Sequence, residues 1–221
     1  MFIFNILKGI KLPMEKRQQW SLIFCTLLLT IIIFLFIIFQ ALFDSIILDY
    51  IGDSVVIGFF FIIIFLSLKQ NRAFFSEKLR FDFFRSIKNY IYVFVGYLLV
   101  AVSSGAVSYL PVNSQDYEVE TVQITSIPII ILFIIATGIF VPVWEELFMK
   151  RVILDFSRIY LPFWLGMMIT SLIFALMHNV PLPQRLFIFM VSIITCFVYK
   201  KTDSLYGPIL IHILWNFTSL V

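Results

Sequence analysis

Charge is scarce in this chain. Only 13% of its 221 residues are Asp, Glu, Lys or Arg, against about 25% in an ordinary soluble domain. Hydrophobic residues make up 62% and the mean hydropathy is +1.04, which excludes a soluble globular fold and makes the chain an integral membrane protein. A net charge of +3 is too small to mark a nucleic-acid partner. Cysteine is nearly missing as well. Cys25 and Cys196 both fall in apolar runs without a metal-ligand spacing such as C-x-x-C, so both read as small hydrophobes. No Gly/Ser-rich linker, low-complexity tract or fixed-period repeat divides the sequence, so residues 1–221 read as a single membrane domain. Histidine is as scarce as cysteine, with only His178 and His212.

What remains is a series of long apolar runs. Lys8, Lys11, Lys16 and Arg17 precede the run from Trp20 to Phe43. At about 24 residues this run exceeds the roughly 7 to 15 of a secretory signal and is followed by no small-x-small cleavage site, so it is expected to stay as an anchor. The final residues Thr218-Ser219-Leu220-Val221 hold no cysteine, so no prenylation of the chain itself is expected. Runs of about 20 apolar residues suffice to span a bilayer. Reading them between charge clusters gives Trp20 to Phe43, Ile51 to Leu68, Tyr90 to Leu110, Ile127 to Met149, Pro162 to Met177, Leu186 to Tyr199 and Leu205 to Val221. The fold class is therefore all-α, a polytopic transmembrane helix bundle of about seven spans in the cell membrane.

Cations gather at the amino terminus, at Lys69, Arg72, Lys78, Arg80, Arg85 and Lys88, at Lys150, Arg151 and Arg158, and at Lys200 and Lys201. They alternate with connections holding Asp44, Asp49 and Asp53, then Asp116, Glu118 and Glu120, then a single Arg185. The positive-inside rule places the amino terminus in the cytoplasm, and seven spans would leave the carboxyl terminus outside. Lys69 to Asn89 mixes cations with Phe74, Phe75, Phe81, Phe83 and Phe84, as either an amphipathic helix on an anionic leaflet or a solvated basic loop would.

Ionisable groups inside apolar stretches are costly in a bilayer and mark functional sites by default. Glu145 and Glu146 follow Pro142 and Trp144 in a run that starts near Ile127 and can continue helically to about Tyr160. On a helix Glu146 and Lys150 face each other, while Glu145 points about 100 degrees away, so one glutamate can be held by a cation and the other left for chemistry. The same pair can also be read as interfacial carboxylates balancing Lys150 and Arg151. Phe174 stands one turn before His178 on the same face. His212 and Asn216 repeat that four-residue step, and an imidazole with a carboxamide one turn away can present two donors to one oxyanion or serve as interhelical glue.

Spacing adds a further argument. The midpoint between Glu145 and His178 is the Leu161-Pro162 junction, and proline suits the first turn of a new helix. If the chain folds back there, both residues lie at equal depth, roughly 24 Å from the turn at about 1.5 Å per residue. His212 lies roughly 14 Å beyond a turn near Asp203 and need not match that depth.

These residues resemble the CPBP intramembrane proteases, which include the type II CAAX prenyl endopeptidases and the Abi or bacteriocin-immunity proteins. The resemblance covers about Phe140 to Phe217 in three ordered blocks: Glu145-Glu146 with Leu147-Phe148, Phe174-x-x-x-His178, and Leu205-Tyr206-Gly207-Pro208-Ile209-Leu210-Ile211-His212-x-x-x-Asn216. The catalytic-motif core is thus about residues 127–221, and the first ninety residues carry no family signature. One departure stands in the first block. The family reads Glu-Glu-x-x-x-Arg, often with Gly next, and here those two places hold Lys150 and Arg151. Lysine can pair with Glu146 as a point charge but not as a two-toothed planar contact, and Arg151 is a candidate substitute from the next position.

The resemblance implies peptide-bond hydrolysis in the membrane. Glu145 and His178 would activate a water, His212 and Asn216 would steady the oxyanion, and Glu146, Lys150, Arg151 and Phe174 would support them. A glutamate in an apolar surround can serve as general base near neutral pH. The favoured mechanism requires no cofactor. Zinc on Glu145, His178 and His212 is the alternative the family also suggests, with no H-E-x-x-H helix to decide it. The implied partners are a peptide or prenylated-peptide substrate and the bilayer, in bacteriocin processing or self-immunity. A second reading is a catalytically silent scaffold or immunity protein bound to a membrane partner. A third, a small transporter, lacks the paired broken helices and inverted halves such proteins show.

Overall fold

The computed structural model describes residues 16–42, 53–111 and 127–219. Lys8, Lys11, Asp44, Asp49, Asp116, Glu118 and Glu120, which enter the orientation argument, lie outside the described residues. Among the described residues the architecture is helical without strands. Helix α1 runs Lys16–Leu42, α2 Asp53–Ser67 and α3 Lys69–Ser76. A 3-10 turn at Phe81–Arg85 leads into α4, Ile87–Val107. The helix bearing the glutamates, α5, is a continuous run of five pieces. It opens as α-helix Ile127–Ile135, widens into a π-helical turn at Ala136–Phe140, narrows at Val141–Glu146, widens again at Leu147–Leu154 and closes at Asp155–Ser157. Then follow α6 Phe163–Leu176, α7 Leu182–Thr202 and α8 Tyr206–Ser219.

The helical bundle is as expected, and among the described residues the count of seven spans is not confirmed. Among the described residues, four helical runs are long and apolar enough to cross a bilayer: Lys16–Ile38, Ile87–Val107, Ile130–Ser157 and Leu182–Thr202. A bent pair, Ser54–Ser67 with Lys69–Arg85, makes a fifth if it is one broken span. The expected spans at Pro162 to Met177 and Leu205 to Val221 are helices of 14 residues each, shorter than the roughly 17 to 25 that cross unaided. Each buries one face against its neighbours, Gly166, Met167, Thr170, Ser171 and Phe174 on α6 and Gly207, Pro208, Ile209, Ile211 and His212 on α8.

The segment from Lys69 also departs from a leaflet-lying helix. The chain turns by 106° after α2, and Phe74, Phe75 and Phe83 are buried while Phe81 and Phe84 remain exposed. Arg72 is drawn back to cap the end of α2, donating to the carbonyls of Leu66 and Ser67 at 2.7 and 2.9 Å. An aromatic cluster explains the burial: Phe61 packs on Phe65, Phe75, Trp144 and Phe148.

Close approach of α2 to α5 depends on one glycine. A Cβ on Gly58 would lie 2.3 Å from Cδ1 of Trp144. The α5–α6 hairpin is equally tight, since a Cβ on Gly166 would lie 2.4 Å from Oγ of Ser157. Its turn falls where the sequence places it: Leu161 N–H donates to Ser157 O at 2.9 Å, and Pro162, which has no N–H to lose, starts α6 from an extended conformation. Helix α5 is thereby flanked by α2, α6 and α8, while α4 packs on α7 and α8.

Candidate active site

Five ionisable groups lie on α5, and all are turned inward. Glu145, Glu146, Lys150, Arg151 and Asp155 are each buried, as charges in a bilayer must be, facing the bundle and one another. Nζ of Lys150 stands 2.9 Å from Oε2 of Glu146, with both side chains sealed from solvent. The lysine in the family's arginine position therefore makes the contact its spacing predicts.

Arg151 does not substitute for it. Its guanidinium pairs with Asp155, donates to the Phe74 carbonyl, reaches Glu77 Oε2 at 3.0 Å and lies over the Phe74 ring at 3.6 Å. Tyr199 from α7 closes this group by donating to Asp155 Oδ2 at 2.7 Å. The candidate support of Glu146 by Arg151 is thus corrected. One residue further along the widened helix points to α3 and α7, where Arg151 staples the amino-terminal half onto α5.

The other oxygen of Glu146 holds His212. Nδ1 of His212 is 3.1 Å from Glu146 Oε1, and a carboxylate can only accept, so Nδ1 carries the proton. Nε2 then faces Glu145, 3.8 Å from its Oε2. His178 is oriented in the same manner: its Nδ1 lies 2.8 Å from the Phe174 carbonyl, which fixes Nδ1–H and leaves Nε2 as an acceptor. Burial holds the His178 imidazole below the usual histidine range, so the ring stays neutral. Phe174 stands edge-on to both imidazoles, with centroids 4.8 Å from His178 and 6.1 Å from His212. Asn216 donates from Nδ2 to the Thr137 carbonyl at 3.0 Å. Thr137 sits in the first π-helical turn, a widening often found at functional sites.

Glu145, Phe174, His178, His212 and Asn216 all line one cavity of about 250 Å³. Glu146, Lys150 and Arg151 stand behind it. The donors considered for zinc are in the cavity, yet among the described residues no three His, Cys, Asp or Glu converge as a metal-binding group. As they stand, Glu145, His178 and His212 are not gathered into a three-donor group.

Several lining residues escaped the sequence reading. Ser54, Val141, Phe187, Ile188, Val191 and Trp215 complete the walls. Apolar positions such as Ile188 look no different in sequence from lipid-facing ones, and Ser54 belongs to a half without motifs. The Arg151–Asp155 pair did carry a signal, the four-residue spacing of opposite charges on one helix. Cys196, read as a small hydrophobe, is fully buried beside the Lys150 ammonium and the hydroxyls of Ser171 and Ser192. Cys25 likewise meets a polar neighbour, Asn71, whose Nδ2 lies 3.4 Å from its sulfur.

The family described as type II CAAX prenyl endopeptidase Rce1-like matches residues 127–218. No curated protein and no solved structure matches the chain. The match runs from the start of α5 to the end of α8, less than half of the chain, and falls on the stretch whose three motif blocks resemble the CAAX proteases.

Proposed function

We propose that the protein is an intramembrane endopeptidase that hydrolyses a peptide or lipidated-peptide substrate. The observation that carries this reading is the meeting of Glu145, His178, His212 and Asn216 around one cavity, within a stretch that matches a protease family. A water held between Glu145 and Nε2 of His178 attacks the scissile carbonyl carbon as Glu145 takes its proton. The carbonyl oxygen becomes an oxyanion facing Nε2–H of a protonated His212 and the Asn216 amide, whose donors strengthen in a water-poor site. Glu146 holds the His212 ring in place through Nδ1. When the tetrahedral intermediate collapses, the C–N bond breaks and Glu145 returns its proton to the leaving amine. Lys150 pairs with one oxygen of Glu146, so that Glu146 orients His212 through the other while Glu145 works.

The test uses purified protein in nanodiscs with a fluorogenic prenylated peptide and its unlipidated counterpart. Wild type cleaves at least one of them, and Glu145→Gln and His178→Ala each reduce turnover by about 10² or more while accumulating normally. Turnover persists with a zinc chelator present. If both variants keep full cellular function at wild-type abundance, the scaffold reading replaces this one.

A further inference from the structure

The bundle has two chemically distinct ends. Short turns bring the end of α2, the start of α4, the end of α5, the start of α6, the end of α7 and the start of α8 to one end. The start of α1 joins them, since Ser21 Oγ donates to Asn71 of α3 at 2.8 Å. Among the described residues, that end holds Lys16, Arg17, Lys69, Arg72, Lys78, Arg80, Arg85, Lys88, Arg158, Lys200 and Lys201. It is also tied together, by the Lys78–Asp203 ion pair and by Leu205 N–H donating to Lys78 O at 2.9 Å. The opposite end holds one described cation, Arg185.

The cavity belongs to that opposite end. At about 1.5 Å per helical residue, Ser54, Ile188 and His178 stand roughly 20 Å from the basic end, and Glu145 somewhat less. Toward the basic end the way is closed: Lys150, Ser171, Ser192, Thr195 and Cys196 lie between, each with no exposed surface. Away from it the cavity wall includes exposed Ser54 and half-buried His178, and Met177, Asn179 and Leu182 beyond are exposed.

Basic residues mark the cytoplasmic side of a membrane protein. We infer that the cavity is served from the extracytoplasmic face, so that its substrate is a peptide segment already carried across the membrane or lying in its outer half. A translocation step must then supply the substrate, and a peptide confined to the cytosol does not reach Glu145. This rests on the endopeptidase reading for what happens in the cavity, but its geometry can be tested without turnover.

The test is labelling of single introduced cysteines in intact cells with a membrane-impermeant maleimide. Cys25 and Cys196 are at most 1% exposed, so wild type provides an unlabelled background. Asn179→Cys and Ser54→Cys are expected to react in intact cells, and Lys201→Cys and Asp82→Cys only after permeabilisation. The reverse pattern overturns the inference, and so does Ser54→Cys reacting only in permeabilised cells. Because labelling needs no substrate, an inactive protein that labels as expected would sink the enzymatic reading and leave the orientation standing.

Discussion

Nδ1 of His212 and Oε1 of Glu146 lie 3.1 Å apart, joining the last helix to the only pair of adjacent glutamates in the chain. Glu146 is thereby committed twice, to His212 through one oxygen and to Lys150 through the other. Glu145 has only the looser approach of His212 Nε2 at 3.8 Å.

The two neighbouring carboxylates should therefore respond in opposite ways to mutation. Glu146→Ala strands a buried ammonium, and breaking one side of a buried ion pair costs about 3–5 kcal/mol. A large fall in melting temperature in detergent, or failure to accumulate, is the expected result. Glu145→Gln keeps the shape and removes a carboxylate whose contact with His212 Nε2 is loose, at 3.8 Å, so its melting temperature should stay near wild type while turnover is lost. Equal destabilisation by both changes would contradict this division of labour.

Lys150→Arg restores the residue the family usually has, and it should nonetheless weaken this protein. The ammonium is fully enclosed, beside Cys196 on α7, which itself meets the hydroxyls of Ser171 and Ser192. A guanidinium is larger and planar, and inserting extra atoms into a packed interior costs about 1–3 kcal/mol. Thermal unfolding of the Lys150→Arg protein measures it; a stability equal to or above wild type would show that the pocket is not shaped for lysine.

Much of the site was legible because a bilayer penalises polar groups so heavily. Glu145, Glu146, His178, His212 and Asn216 stood out for their chemistry in apolar surroundings, and the fold-back at Leu161-Pro162 followed from spacing and proline. Other features depended on which way a side chain turns. Nothing in the order Lys150-Arg151 says which cation meets Glu146. The two π-helical stretches shift that register, and a regular helix is what sequence spacing assumes. Phe74 and Phe75 look amphipathic beside Arg72 and Lys78 and are instead buried, because α3 folds back at 106° into an aromatic cluster contributed by α2 and α5. The lengths of α6 and α8, 14 residues each, are likewise set by where the neighbouring turns fall and not by the length of the apolar run.

The Arg151 group should behave as a structural staple. Arg151→Met leaves Asp155 buried without its principal cation, for a loss of about 3–5 kcal/mol. Tyr199→Phe removes one hydrogen bond to a carboxylate, for about 1.5–3 kcal/mol. Because both residues hold the same carboxylate, the double variant should fall short of the sum. Melting temperatures of the two single variants and the double variant provide the cycle. Additive losses would mean that Arg151 and Tyr199 do not share Asp155 in the membrane.

Asn216 separates catalysis from scaffolding most directly. Its carboxamide is fixed by the Thr137 carbonyl at 3.0 Å, stands one turn from His212 and lines the cavity, so its second N–H can be offered there at little further ordering cost. If it stabilises an oxyanion, Asn216→Ala should lower kcat by about 10²–10³ with KM nearly unchanged, because the interaction exists only once negative charge develops. Asn216→Asp should be worse, since a carboxylate placed there opposes that charge. A hydrogen bond serving only to join α8 to α5 predicts a different outcome: Asn216→Ala would lower the melting temperature and leave kcat intact in the protein that remains folded. Steady-state kinetics and thermal unfolding on the same nanodisc preparations distinguish the two.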